Sequence, residues 1–359
     1  MNVSDFDYEL PDSFIAQTPA EPRDSSRLMV VDRHSGAIQH HIFREIVDYF
    51  RPGDVLVMND TRVIPARLHG IKAETGGAVE ILLLRRLDTT TWRTLVGGNR
   101  IRVGSRLKIG EIGAEVIETL DDGERIVRFD IPLDERLNAL GETPLPPYIR
   151  TKVSDPERYQ TVYSRDPGSA AAPTAGLHFT PDLLLALRER GVRFAYCTLH
   201  IGLGTFQPVK TERLADHIMH HERAILSADT ARTINEAKLA GGRAIAVGTT
   251  AARTLETAGI LSEGGDPAQP QDGEACAWRP VIAFERDTNL FIHPGYRWRV
   301  VDGLITNFHL PKSTLIMMIS AFAGRENVLR AYETAKTEGY RFFSFGDAMF
   351  LTDLTETLD

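Results

Sequence analysis

The side chains best placed to do chemistry in this 359-residue chain lie between Ala170 and Val209. One segment reads Ala-Ala-Ala-Pro-Thr-Ala-Gly-Leu-His-Phe-Thr (170–180), and a second reads Thr-Leu-His-Ile-Gly-Leu-Gly-Thr-Phe-Gln-Pro-Val (198–209). Each combines an imidazole that titrates near neutrality, hydroxyls, and glycines that let backbone approach a ligand. Two tight turns with structural histidines would also account for this composition. A third cluster, Asp216-His217-Ile218-Met219-His220-His221-Glu222, places His217 and His221 four residues apart. Zinc would need that pair on one helical face with a third ligand. The His-Glu-x-x-His pattern is missing, and Arg223–Leu226 reads as a strand, which spoils helical spacing. A polar cluster that touches substrate or supplies a base fits better than a metal site. No phosphate-binding Gly-x-x-x-x-Gly-Lys-Ser/Thr loop and no Gly-x-Ser-x-Gly elbow occur. Ile201-Gly202-Leu203-Gly204-Thr205 lacks the third glycine of a dinucleotide fingerprint. Pro311-Lys312-Ser313-Thr314 reads as a helix cap, unless the preceding Asn307-Phe308-His309 lines a site.

The elements that must hold these residues can be read from periodicity. Thr180 caps a helix over 181–190 with Pro181 in its first turn and Gly191 after its end, and a strand Val192–Leu199 then delivers His200 onto a loop. A helix over 228–240 leads to a strand Arg243–Val247, which meets Gly248-Thr249-Thr250 and a helix Ala251–Ala258. Such a junction puts N–H groups and hydroxyls at the carboxyl end of a strand, where open α/β sheets bind ligands. Earlier in the chain, Phe43, Ile46, Val47 and Phe50 follow helical spacing, and Asp54–Asn59 reads as a buried strand. Between them lie short stretches with a different character. Val79–Leu84, Trp92–Val96, Arg102–Lys108, Ala114–Thr119 and Glu124–Ile131 are strands separated by turn residues, as in a small barrel. Pro144–Tyr148 is a stiff exit back to the first unit. The fold class expected is mixed α/β: a discontinuous α/β catalytic domain (1–64 and 150–359) carrying an inserted small all-β, barrel-like domain (65–149). Residues 262–277 read as a surface loop, two helices are expected over 313–323 and 325–338, and a last strand over Arg341–Phe345.

Composition narrows the class. Apolar content of 42% and charged content of 25% belong to a globular protein, and no apolar run is long enough to span a bilayer. The acidic N-terminus does not read as a secretory signal. Two cysteines, Cys197 and Cys276, are too few for a disulfide scaffold or an iron–sulfur cluster, and a cytoplasmic protein is expected. The net charge of −8 argues against indiscriminate nucleic-acid coating, yet residues 62–108 hold ten Lys/Arg against three Asp/Glu, a local balance of +7. Those residues make a phosphate-facing surface or a solvated basic face.

The ordered motifs resemble those of the S-adenosylmethionine:tRNA ribosyltransferase-isomerase family of queuosine synthesis, over essentially the whole chain. They include Phe6–Pro11, Arg23–Leu28, Asn59–Arg67, Pro144–Ile149, Arg158–Tyr163, Ala171–Thr180, Thr198–Val209, Asp216–His220, Gly248–Thr250 with Arg253–Glu256, Asp302–Thr314 and Phe342–Met349. This chain departs at Ala251-Ala252, where the family pattern has Ser-Val, and in its longer 262–277 segment. The resemblance implies an α/β domain interrupted by a small β-barrel. It also implies transfer and isomerisation of the ribosyl group of S-adenosylmethionine onto 7-aminomethyl-7-deazaguanine at the tRNA wobble position. The product is epoxyqueuosine, with adenine and methionine released. S-adenosylmethionine is then a consumed co-substrate, no metal or other cofactor is expected, and the partner is tRNA bearing the deazaguanine precursor, bound by a monomer. A tRNA-modifying methyltransferase or a tRNA-binding protein on the same scaffold is the alternative, separated by whether free adenine is released.

That chemistry requires a base beside the sulfonium and help for the departing adenine. The residues expected to move protons are His178, His200 and His221, with Asp60 and Glu222 as carboxylates; an Asp60–Arg62 ion pair is the structural alternative. Substrate contacts are expected from Thr174, Ala175, Gly176, Gly202, Gly204, Thr205, Gly248, Thr249, Thr250, Asn307 and His309. Arg62, Arg67, Arg85, Arg86 and Arg102 are expected to meet tRNA.

Overall fold

The computed structural model describes residues 1–120, 123–151, 155–202, 209–270 and 278–354. Its larger unit is built on a nine-stranded mixed sheet. The four central strands, Arg193–Leu199, Val55–Asn59, Ala244–Val247 and Gly303–Asn307, lie side by side and parallel. All four therefore end at one edge, and the residues just beyond them are His200, Asp60, Gly248 and Phe308. The period of two in a strand sends alternate side chains to opposite faces. Val55 and Val57 join one core with Ala244 and Ala246, while Leu56 and Met58 join the other with Ile245 and Val247. Helices cover both faces, as a buried parallel sheet requires. Ala228–Leu239, Gly248–Ser262, Thr314–Ala323 and Arg325–Thr337 pack on the first core; Pro181–Glu189 and the 3-10 segment Phe43–Tyr49 pack on the second.

The caps read from sequence are formed: Thr180 Oγ1 accepts from Leu183 N–H at 3.2 Å and Ser313 Oγ from Ile316 N–H at 3.3 Å. The strand expected over Arg102–Lys108 is shorter and later, Arg106–Ile109, and two further elements differ from expectation. The helix expected from Ala251 starts at Gly248 itself, where φ is +86°, so Thr249 and Thr250 sit in its first turn. The last strand is Ala348–Thr352, not Arg341–Phe345, and it pairs between Gly303–Asn307 and Arg27–Asp32. Phe343 has φ +69°, which no strand tolerates, and Asp347 ties Arg27 N–H (3.0 Å) and Arg341 N–H (2.8 Å) to shape this segment as a turn.

The barrel begins four residues beyond the short strand Thr61–Val63 that follows the central strand Val55–Asn59. Six antiparallel strands run in the order Arg67–Lys72, Ala78–Arg86, Thr91–Gly97, Arg125–Phe129, Ile112–Thr119 and Arg106–Ile109. The last pairs back onto the first through Ile71–Lys108 and Lys72–Leu107, closing the sheet on its own core. The Pro-rich exit then docks on the larger unit, with the Tyr148 ring 4.7 Å from Phe343 and its hydroxyl 2.8 Å from Ser344 Oγ.

Candidate active site

Because the barrel leaves the chain at the carboxyl edge of the parallel strands, that edge faces a broad cleft of about 1200 Å³ between the two units. The α/β wall carries His200, Gly202 and His217–Arg223, and the barrel wall carries Arg85, Arg86 and Arg93. A smaller pocket of about 60 Å³ adjoins it, lined by Ala172–Ala175, Ile201, Gly248–Thr250, Thr306–His309, Ser313, Phe343 and Tyr148. Ile201 belongs to the pocket while its neighbours His200 and Gly202 belong to the cleft, so one loop walls both. Thr174, Ala175, Gly248, Thr249, Thr250, Asn307 and His309 are thus brought together. Gly176 is instead packed behind the pocket, where a Cβ would stand 2.1 Å from Tyr163 Oη. Gly204 and Thr205, like Cys276 and part of the 262–277 segment, lie outside the described residues.

Asn59 joins three of the strand ends. Its Nδ2 donates to the Leu199 carbonyl (3.0 Å) and Thr250 Oγ1 (3.2 Å), and its Oδ1 accepts from the N–H groups of Leu199 (3.0 Å) and Thr61 (3.1 Å). His200 is held on that frame. Its Nδ1 lies 2.8 Å from Thr61 Oγ1, its Nε2 lies 3.9 Å from Asp166 Oδ1, and its ring rests against Gly168. Burial lowers its pKa and the Asp166 carboxylate opposes that, so the ring is neutral and basic near pH 7.

His178 is arranged differently. Asn307 Nδ2, which can only donate, sits 3.1 Å from Nε2, so Nδ1 carries the proton and points at Ser26 Oγ, 2.7 Å away. The ring stacks on Phe43 at 4.9 Å, and burial lowers its pKa to about 4. It touches neither cavity directly and acts on the pocket through Asn307. His309 lines the pocket with Nε2 bound to Thr306 Oγ1 at 2.7 Å, and burial lowers it to about 3. His221 is exposed in the cleft. Glu222 is buried in an ion pair with Arg253, and accepts the Gly202 N–H at 2.9 Å. Asp60 faces away from the cleft and pairs with Arg165 at 2.6 Å and Thr198 Oγ1 at 2.7 Å, not with Arg62.

The basic residues divide. Arg85 reaches across to Asp287 on the sheet edge at 2.7 Å, and Arg86 pairs with Asp134 at 2.7 Å, both in the cleft. Arg62 pairs with Glu157, Arg67 lies 3.7 Å from Glu80, and Arg102 is exposed elsewhere on the barrel. Thr61, Asp166, Gly168 and Arg253 were given no site role by the sequence reading, although Thr61 and Arg253 lie within its motifs. Only tertiary contact relates the first three to His200, whereas a lone arginine inside the apolar helical run 248–262 was a visible anomaly.

Among the described residues, no group of three or more His, Cys, Asp or Glu comes close enough to hold a metal ion, and no helix is long and apolar enough to cross a membrane. Fold and site together define an α/β enzyme scaffold with an inserted barrel, whose strand-end pocket opens onto a cleft walled by arginines. Within that class the chain belongs to the queuosine biosynthesis protein family, whose model matches residues 3–351. It is 54% identical over 356 residues to the S-adenosylmethionine:tRNA ribosyltransferase-isomerase of Clostridium kluyveri, covering 98% of this chain and 100% of that one. Identity to the enzyme of the same name from Staphylococcus haemolyticus is 52%, with the same coverage. The crystal structure of the S-adenosylmethionine tRNA ribosyltransferase from Thermotoga maritima superposes with a TM-score of 0.54 at 39% identity, covering 97% of this chain and 100% of that chain.

Proposed function

We propose that this protein transfers and isomerises the ribosyl group of S-adenosylmethionine onto 7-aminomethyl-7-deazaguanine at the tRNA wobble position. Epoxyqueuosine forms, and adenine and methionine leave. The observation that carries the reading is the junction of a small-residue pocket with a large arginine-walled cleft at the ends of four parallel strands. A pocket of about 60 Å³ cannot enclose a nucleoside, so the bulk of both substrates occupies the cleft of about 1200 Å³. The aromatic faces of Tyr148 and Phe343 suit a sulfonium centre at the pocket mouth.

His200 is the base in this reading: its Nδ1 is engaged by Thr61, which leaves Nε2 to take the proton beside the sulfonium, with Asp166 stabilising the imidazolium that results. His221, exposed in the same cleft, assists the departing adenine in this reading. His178 and Asn307 position the pocket wall, and the Glu222–Arg253 pair holds the loop after His200. The division of labour follows the chain: residues 1–64 and 150–359 perform the chemistry, and 65–149 hold tRNA. The protein works as a cytoplasmic monomer, consuming S-adenosylmethionine and using no metal. Incubation with precursor-bearing tRNA and S-adenosylmethionine is expected to release one adenine per modified tRNA. Formation of S-adenosylhomocysteine instead would identify a methyltransferase and overturn the reading.

A further inference from the structure

The segment His217–Glu222 forms the α/β rim of the cleft and is fixed at both ends. The His217 ring meets Phe291 edge-on at 5.1 Å, and the His217 backbone N–H donates to the carbonyl of buried Leu214 at 3.1 Å. At the other end Glu222 is clamped by Arg253 and continues directly into the strand Glu222–Leu226. Between these anchors Ile218 is 85% exposed, and it lines the cleft together with Met219. A lone exposed isoleucine on a loose tail would be ordinary. On a loop held at both ends it is an apolar surface in a fixed position, facing a wall that carries Arg85, Arg86 and Arg93.

The barrel-side arginines are part-exposed and paired with Asp287, Asp134 and Glu124, partners that a phosphate can displace, while Ile218 and Met219 give the facing rim an apolar surface. The occupant with that chemistry is a single-stranded turn of RNA, whose backbone is anionic and whose bases are stacked discs. This inference rests on the ribosyl-transfer reading, which places the reacting amine on a nucleobase. A base inside an anticodon stack cannot present its substituent to His200, so it must leave the stack, and its neighbours then lose a stacking partner. Aliphatic side chains held rigidly can fill such a gap.

We propose that Ile218, with Met219 beside it, is the wedge that enters the anticodon stack in place of the wobble nucleotide and keeps that nucleotide extruded toward His200. Ile218 and Met219 are therefore positioning residues for the nucleic acid, distinct from His200 and from His221 further along the same rim, which the reading above assigns to proton transfer. The test uses the full-length protein and an anticodon stem–loop carrying the precursor, with 2-aminopurine in the nucleotide flanking it. Wild-type binding should raise the 2-aminopurine fluorescence as the flanking base unstacks. The double variant Ile218→Ser, Met219→Ser should bind the stem–loop without that rise. It should lose about tenfold or more in kcat/KM for tRNA, with unchanged affinity for S-adenosylmethionine. Ile218→Leu, which keeps the apolar volume, should restore both signals in an otherwise wild-type chain. A double variant with wild-type fluorescence rise and turnover, or a wild-type protein that modifies tRNA without any rise, would overturn the wedge. A wild-type protein that releases no adenine with precursor-bearing tRNA would instead sink the reaction assigned above.

Discussion

His178 and His200 stand in equivalent sequence settings, each in a loop of small residues, yet the fold gives them opposite surroundings. His178 is spent on Ser26 and Asn307 behind the pocket, while His200 presents Nε2 to the cleft. His200→Gln is expected to lower kcat by about two orders of magnitude or more, with tRNA and S-adenosylmethionine affinities retained, measured by single-turnover adenine release and titration calorimetry. Because burial lowers its pKa, the acid limb of kcat/KM should fall below the ordinary histidine value of about 6.5. His178 bears on stability instead. Its folded pKa of about 4 lies below the unfolded value, so the unfolded chain binds the proton more readily. Stability is then full above pH 6.5 and is lost as pH falls toward 4, by about 3 kcal/mol at most from this group. Urea titrations across that range should show the slope, reduced in His178→Gln.

At the scale of elements, two contacts link the framework to His200. A Cβ on Gly168 would stand 2.8 Å from the His200 ring, so Gly168→Ala must shift that ring while leaving the core untouched. The expected outcome is a fall in kcat with S-adenosylmethionine and tRNA affinities retained, together with a lower Tm because φ of +158° at Gly168 strains any residue with a Cβ, read by turnover, titration and calorimetry. Arg253 belongs to the helix Gly248–Ser262 and neutralises Glu222 in a buried pair. Arg253→Gln leaves a buried carboxylate uncompensated and should cost about 3–5 kcal/mol in denaturant unfolding. Arg253→Gln combined with Glu222→Gln should recover most of it. The elements were legible where the signal is local: the cap at Thr180, the stop at Gly191 and the strand at Val79–Leu84 all correspond to what formed. Arg341–Phe345 was misread because its phenylalanines are buried in a turn, Phe343 at the pocket and Phe342 and Phe345 in core clusters, and burial alone does not reveal the left-handed φ of Phe343.

For the whole molecule, the decisive feature is that the barrel inserts at the carboxyl edge of the sheet, so its basic face and the strand-end loops share one cleft. Residues 62–108 carry the positive excess, but the arginines are not equivalent. Arg85 and Arg86 line the cleft, and Arg102 does not. Charge reversal at Arg85 and Arg86 should weaken tRNA binding and flatten its dependence on salt, by about 0.7–0.9 in log–log slope per lost phosphate contact. Arg102→Glu should have a smaller effect on both, and S-adenosylmethionine affinity should not change in any of these variants. Binding isotherms at several salt concentrations separate these outcomes; equal loss at all three positions would return the whole barrel face to the tRNA surface.

The chain by itself determined its elements and its family. Caps, turn residues and hydrophobic period act over a few residues, and ordered motifs need no geometry to be recognised. The strand-ending loops could also be seen from sequence alone, since Gly-Thr-Thr after a buried strand has local meaning. What only the tertiary structure decided is which polar groups meet. Asp60 pairs with Arg165, 105 residues away, and Asn307 with His178, 129 residues away. Glu222 is claimed by Arg253, and His200 is left facing the cleft. Those pairings depend on strand order and on where the barrel interrupts the sheet, and a side chain's protonation state follows from its burial and neighbours, which no local pattern encodes.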